Sequence, residues 1–303
     1  MSECARVVYV TDLTFDRFDG SDLFDLAALL RSPEHQLVGV CFAGVNGGGE
    51  RILDALSLHA PLGGDVPPIE FGSVGLARML IAAADPINLI VVGAYSIVAE
   101  ALDGHPELFR EKVTRLFIVG GHANDYVGSA RRLPIAPRLR ERFPERYAPA
   151  GDPRLFAADR PAWARLLTCG QAVIFLPRDI CLWSYAAPGV LAGGGSTCDF
   201  LLRELFWTQL SAARDRYEAA ARPVLLSTLP ALLLAVKPDP FVWMRLFRVI
   251  AARIALGPDQ SVREIDTASE SPNLYLVTAV DGKALGGVLT RLLRDTPANA
   301  NVQ

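Results

Sequence analysis

Arg6-Val-Val-Tyr-Val-Thr-Asp-Leu-Thr-Phe-Asp-Arg-Phe-Asp-Gly-Ser-Asp-Leu-Phe-Asp-Leu-Ala-Ala-Leu-Leu30 is the stretch that decides the fold. Its opening, Arg6 to Val10, is β-branched and aromatic and predicts a strand. Further on, Leu23, Leu26, Ala27 and Leu30 recur at helical spacing and predict a helix from Leu23 to Arg31. Between the two periodicities stand Asp12, Asp16, Asp19, Asp22 and Asp25, with Arg17 as the nearby counter-charge. A strand that runs into an acidic loop and then a helix is the first half of a parallel βαβ unit.

The same alternation continues outward. Strands are predicted at Gln36–Phe42, Ile69–Phe71, Asn88–Val92, Arg115–Val119 and Ala172–Leu176, and another at Leu274–Val277. Helical patterns lie at 50–59, 74–84, 95–102, 159–167, 199–216 and 224–236, with a final helix near the C-terminus. Near-continuous apolar strands separated by helices predict an open, mostly parallel α/β sheet flanked by helices, a Rossmann-like three-layer architecture. The chain reads as a single domain over 1–303, with an Arg- and Pro-rich excursion at 129–151. Right-handed crossovers bring the loops after the strands to one edge. That edge would gather 12–22, 43–49, 93–96 and 120–126 as the site loops.

Composition narrows the function classes. The 303 residues are 51% hydrophobic and 21% charged, with 30 basic against 33 acidic side chains and a net charge of −3. Such a balance does not neutralise phosphates, so nucleic acid is not an expected partner. The longest apolar stretch, Val224 to Val236, is interrupted by Ser227, Thr228 and Pro230 and falls short of the roughly 18 apolar residues of a bilayer span. An acidic rather than basic N-terminus argues against a secretion signal, so the expectation is a cytoplasmic protein that avoids the membrane. The five cysteines share no metal-ligand spacing, and Cys41, inside an apolar run, reads as a buried hydrophobe.

Carboxylates crowded at the end of a parallel strand repel one another unless a cation lies between them. A hard divalent cation with oxygen ligands, Ca²⁺ or Mg²⁺, meets that need, with Asp12 and Asp25 as the first candidates. Asp22 reads either as a further ligand or as a helix N-cap.

These pieces, in order, resemble the inosine–uridine-preferring nucleoside hydrolase family. The resemblance rests on Asp12 and the acidic loop leading to Asp25-Leu-Ala-Ala-Leu-Leu30, then Leu37-Val-Gly-Val-Cys-Phe-Ala-Gly44 with Asn46 beyond. It continues through Ile87-Asn-Leu-Ile-Val-Val-Gly93, His105-Pro-Glu107, Leu116-Phe-Ile-Val-Gly-Gly121, Asp152-Pro153 and Val173-Ile-Phe-Leu-Pro177. The resemblance implies cleavage of the N-glycosidic bond of a nucleoside or nucleoside-like small molecule, with Ca²⁺ as cofactor. It implies Asp12 as ligand and general base, Asp25 as second carboxylate ligand, Asp22 as a substitute ligand and the Val92 carbonyl as a backbone ligand. It places Asn46 near the substrate. His122, on a predicted site loop, is the candidate to replace the family's own leaving-group donor, and Asn124 and Asp125 beside it are candidates for sugar hydroxyls, each otherwise an ordinary polar loop residue. Homo-oligomerisation is likewise implied, with Trp183, Trp207 and Trp243 as interface candidates.

Two single residues, one segment and one residue pair depart from the family pattern. Val10 and Phe24 stand where two of its aspartates belong, and Glu145-Arg-Tyr-Ala-Pro149 replaces its Glu-Phe-Asn segment. Ala231-Leu232 replaces its C-terminal His-Asp pair. Two further readings follow from these departures: a non-catalytic binding or scaffold protein on the same fold, and a different hydrolase or lyase in the same cleft.

Overall fold

The computed structural model describes residues 4–12, 20–32, 34–44, 54, 67–120, 161–177, 185–186, 191–192, 195, 197–203, 224–226, 228–235, 246–256, 262–266 and 272–293. Its frame is a nine-stranded sheet. Seven strands run parallel: β1 (Ala5–Thr11), β2 (His35–Phe42), β3 (Ile69–Phe71), β4 (Ile87–Val92), β5 (Val113–Val119), β6 (Ala172–Leu176) and β11 (Leu274–Val280). At one margin β9 (Phe247–Leu256) pairs antiparallel with β11, and β10 (Val262–Asp266) antiparallel with β9. Two short strands, β7 (Tyr185–Ala186) and β8 (Val224–Leu225), form a separate antiparallel ladder. The helices are α1 (Gly20–Arg31), α2 (Gly72–Ala82), α3 (Tyr95–Gly104), α4 (Pro106–Lys112), α5 (Leu229–Ala235) and α6 (Gly282–Leu293), with a further helical run at 161–167.

The spatial order β10-β9-β11-β6-β5-β4-β1-β2-β3 fixes where function can sit. The chain lays β2 and β3 on one side of β1, then returns to place β4 on the other side. That reversal makes the β1/β4 junction a topological switch point, where loops diverge and leave a crevice outside the strand carboxyl ends.

Strand alternation divides the core into two layers. Val7 and Tyr9 of β1 face the layer holding Leu26, Leu229 and Leu285, while Val8 and Val10 face the layer holding Leu76, Val98 and Trp163. Helices therefore cover both faces, as the unbroken apolar strands require. Trp163 packs edge-on against Phe175, with ring centroids 5.2 Å apart. Cys41 is buried in this second layer, and burial pushes its thiol up to about 12, so it behaves as a small hydrophobe.

Helix α5 shows how polar groups orient a short element. The last carbonyls of a helix lack intrahelical donors. Here His35 Nε2 donates to the Leu232 carbonyl at 2.9 Å, and Asn88 Nδ2 to that of Ala235, also at 2.9 Å. Both donors stand at the amino ends of their strands, so α5 runs antiparallel to the sheet. The α6 start is capped by Asp281, whose Oδ1 accepts the Ala284 N–H at 3.1 Å.

His35 also lies 2.7 Å from Ser32 Oγ through Nδ1. Because a carbonyl only accepts, Nε2 carries the proton and Nδ1 accepts from the hydroxyl. Burial lowers the His35 imidazole from its ordinary value, opposed by the Leu232 carbonyl and by Glu34. The unfolded chain thus binds this proton more readily than the folded one. Stability contributed by His35 is complete above about pH 6.5 and is lost as pH falls from there through the lowered value. Urea unfolding of His35→Gln should show a flatter profile across that window than the native chain, which checks the sign.

Several boundaries differ from the sequence expectation. Helix α1 begins at Gly20 rather than Leu23, so Asp22 is its third residue and not an N-cap. Residues 224–225 are strand rather than the start of a helix; α5 begins only at Leu229, with Pro230 in its first turn. Helix α4 has no counterpart in the expectation. Residues 50–53, 55–59, the 129–151 excursion and the three interface tryptophans lie outside the described residues. Among the described residues, no helix is long and apolar enough to cross a membrane.

Candidate active site

At the carboxyl edge the strand ends are stitched side by side. Ala43 N–H donates to the Thr11 carbonyl at 3.0 Å, Asp12 N–H to the Val92 carbonyl at 3.2 Å, and Gly120 N–H to the Leu176 carbonyl at 3.0 Å. These bonds continue the register in which Thr11 pairs with Val92, so Asp12, just past β1, stands beside Gly93, just past β4, across the switch point.

Gly93 adopts φ +68°, a conformation open to glycine at little cost. A Cβ built there would lie 2.6 Å from Asp12 Oδ2, and closer still to Oδ1 and Cγ. The Asp12 carboxylate thus occupies the volume that any other residue at 93 would fill with its side chain. Ala94 follows with φ 50° and ψ 34° as the N-cap of α3, making no side-chain cap bond. Two consecutive left-handed residues turn the chain sharply from β4 into α3, and Asp12 beside them is exposed.

Tyr95, the first residue of α3, is buried and donates its hydroxyl to the Val119 carbonyl at the end of β5. Gly120 has φ +143°, and a Cβ there would overlap the Tyr95 hydroxyl. One phenol therefore joins the head of α3 to the end of β5.

Asp25 lies in the second turn of α1 and is wholly buried, with the Tyr9 hydroxyl 3.5 Å from its Oδ2. A carboxylate removed from water requires hydrogen-bonding or cationic compensation. Tyr9 supplies a hydroxyl from the same face of β1 that packs on α1.

Of the predicted residues, Asp12 and Val92 are brought together at the switch point, and Asp25 stands in the adjoining layer beneath α1. The Asp22 side chain, Asn46, His122, Asn124 and Asp125 lie outside what the structure describes. The family-pattern departures at Val10, Phe24 and Ala231-Leu232 have a packing cause, whereas Glu145–Pro149 lies outside the described residues. Val10 and Phe24 are fully buried on opposite faces of the sheet, and Ala231 and Leu232 are buried in α5, so apolar packing has taken these positions. Sequence reasoning placed Gly93, Tyr95 and Gly120 on site loops but passed over what each does there, and it passed over Tyr9. The one available signal was a glycine directly after an apolar strand and before a helix.

Could these residues hold a hard cation? The donor set at the switch point is all oxygen, the Asp12 carboxylate and the Val92 carbonyl, and the Gly93 cradle keeps the carboxylate at the open edge. In kind this suits Ca²⁺, which takes six to eight oxygen ligands including water and substrate hydroxyls. Among the described residues, no three His, Cys, Asp or Glu side chains gather into one cluster.

No protein-family model and no curated protein matches the chain. Solved structures do. A plant nucleoside hydrolase superposes with TM-score 0.64 at 14% identity, over 97% of this chain and 100% of its own. The inosine–uridine-preferring nucleoside hydrolase of Bacillus anthracis gives TM-score 0.62 at 15% identity, over 96% and 99%. The type III effector XopQ, solved with adenosine diphosphate ribose, gives TM-score 0.61 at 15% identity, over 96% and 92%. From β1 through α6 the chain therefore has the fold of the nucleoside hydrolases, carried by a divergent sequence.

Proposed function

We propose that this protein hydrolyses the N-glycosidic bond of a nucleoside or nucleoside-like small molecule at the β1/β4 switch point. The observation that supports it is the Asp12 carboxylate held in the Gly93 cradle, at the edge where α/β sheets of this order bind ligands.

Asp12 is the general base: its carboxylate accepts a proton from water as the water oxygen bonds to the anomeric carbon. The bond from that carbon to the base nitrogen breaks, and the electron pair leaves with the base. Positive charge develops on the sugar in between, and carboxylates at the edge stabilise it. His122 is the proposed proton donor to the departing base, and Asn46, Asn124 and Asp125 the proposed contacts to the substrate. A divalent cation, Ca²⁺ by preference, would be held by Asp12, Asp25 and the Val92 carbonyl, with Asp22 as a further ligand. When bound, it would lower the pKa of a coordinated water and fix the sugar hydroxyls. The protein acts in the cytoplasm as a homo-oligomer in this reading, without nucleic acid or membrane partners.

A second reading, a binding or scaffold protein without catalysis, is favoured by one observation. Ala231 and Leu232 are packed into the core, where the family pattern calls for a leaving-group contact and a metal ligand.

Calorimetric titration of the chelator-stripped protein with Ca²⁺ tests the metal, and a nucleoside screen for released sugar tests the chemistry. Binding that disappears in Asp12→Ala and in Asp25→Ala, together with hydrolysis, is the expected result. Silence at millimolar Ca²⁺ sinks the cation; hydrolysis absent despite nucleoside binding selects the second reading.

A further inference from the structure

The opposite, amino edge of the sheet carries a separate cavity of about 350 Å³. It lies where β6 and β11 begin, whereas Asp12 lies where β1 ends. The two are at least a strand length apart, about 15 Å at roughly 3.3 Å per residue. One wall is Leu167, Thr168 and Gln171 from the turn that enters β6; the other is Pro272, Asn273 and Tyr275 at the start of β11.

The chemistry of this lining is specific in what it lacks and in what it offers. Among the described residues no lining side chain is charged, so a phosphate, a carboxylate or a metal ion finds no counter-charge from them. The Thr168 hydroxyl donates to the Ala164 carbonyl at 3.0 Å, which leaves its oxygen lone pairs to accept. Gln171 Nε2 donates to the Phe109 carbonyl at 3.2 Å, and that bond orients the side chain and leaves its amide oxygen to accept. Tyr275 is 50% exposed, an unusual state for a large aromatic side chain in a strand, and among the described residues its hydroxyl makes no hydrogen bond. An open aromatic face, acceptor oxygens and no charge suit a flat, neutral, N–H-bearing ring. The volume sits at the lower end of the range for small-molecule sites, about 300–1,000 Å³.

We propose that this amino-edge cavity is a second ligand site, which takes a neutral planar heteroaromatic with N–H donors, of nucleobase size, stacked on Tyr275. A free nucleobase is also the leaving group of the hydrolysis proposed above, yet binding here does not depend on that reaction.

Adenine is the probe, titrated into the full chain by calorimetry with saturation-transfer NMR to identify the bound ring. Affinity should fall at least tenfold in Tyr275→Ala, which removes the stacking face, and in Ala172→Phe, which fills the cavity from an exposed strand-end position. It should persist in Tyr275→Phe and in Asp12→Ala. Thermal unfolding checks that each variant folds, and Ala172→Phe decides if Tyr275→Ala does not. Absence of adenine binding at millimolar concentration overturns the site, as does binding indifferent to both cavity substitutions. Loss of binding in Asp12→Ala also overturns it, by placing adenine at the carboxyl edge. Because that control separates the edges, failure here and failure of the hydrolase reading give different results.

Discussion

Gly93→Ala is expected to disable the candidate active site as completely as removal of the Asp12 carboxylate itself. The backbone at 93 lies at φ +68°, where an L-residue costs about 1–2 kcal/mol. The steric term is the larger one. A methyl at 93 would sit 2.6 Å from Asp12 Oδ2 and nearer to its other carboxylate atoms, so the carboxylate must leave. It cannot move as a unit with its backbone, since Asp12 N–H is bonded to the Val92 carbonyl and the β1/β4 register holds the strand behind it. The expected result is loss of the calorimetric Ca²⁺ signal and a fall in kcat/KM of at least about a hundredfold, the scale on which a misplaced catalytic group is felt. The melting temperature should drop by only a few degrees, because the cradle is at the open edge rather than in either core layer. Gly93→Ala combined with Asp12→Ala should be no worse than Asp12→Ala alone, since both remove the same group. A Gly93→Ala enzyme within threefold of the native rate would show that the cradle does not position the base.

How far the sequence announces this arrangement depends on the range of the interaction. Ala172–Leu176 is legible to the residue, because a parallel strand buried on both faces must be a short unbroken apolar run. Ile69–Phe71, a half-buried edge strand with Glu70 at its centre, is legible only from its alternation. Helix α1 is legible in its apolar face yet begins at Gly20, because its first turn is polar and carries no periodicity. Residues 224–225 read as helix since Val224 to Val236 is apolar at many periods; their pairing with Tyr185–Ala186 decides otherwise, and no local signal reports it. Asp12 is visible as an acid at the end of a strand. That its carboxylate rests on Gly93 is not visible, because the two residues meet only through the switch-point register. The burial of Asp25 against Tyr9 is hidden for the same reason: an aspartate in a sequence looks solvated until the layer above it is in place.

The phenol that joins the head of α3 to the end of β5 supplies the second large effect. Gly120→Ala should destabilise the protein by about 2–4 kcal/mol, from a strained backbone conformation and the displacement of a buried hydroxyl. The conformation is φ +143°, and the displaced group is the Tyr95 hydroxyl with which the new methyl would overlap. Tyr95→Phe should cost less, about 1 kcal/mol, because it deletes one hydrogen bond to the Val119 carbonyl and keeps the ring. The informative quantity is their coupling. With the hydroxyl gone, the nearest remaining ring atom, Cζ, is 3.1 Å from the new Cβ, a tight contact that small ring shifts relieve. Gly120→Ala should therefore cost at least about 1 kcal/mol less in the Tyr95→Phe background than in the native one, measured by urea unfolding of the four proteins. Additivity within about 0.5 kcal/mol would mean that the strain at 120 is backbone alone and that the phenol is not what fills the glycine's space. The latch also bears on chemistry. Residue 120 lies two positions before His122 in the sequence, so Gly120→Ala should lower the proposed hydrolysis more than Tyr95→Phe does, and part of that loss should return in the double variant. Rescue of rate and stability together would tie the placement of the β5 loop to Tyr95, which is a claim about one side chain at the head of α3 rather than about the fold as a whole.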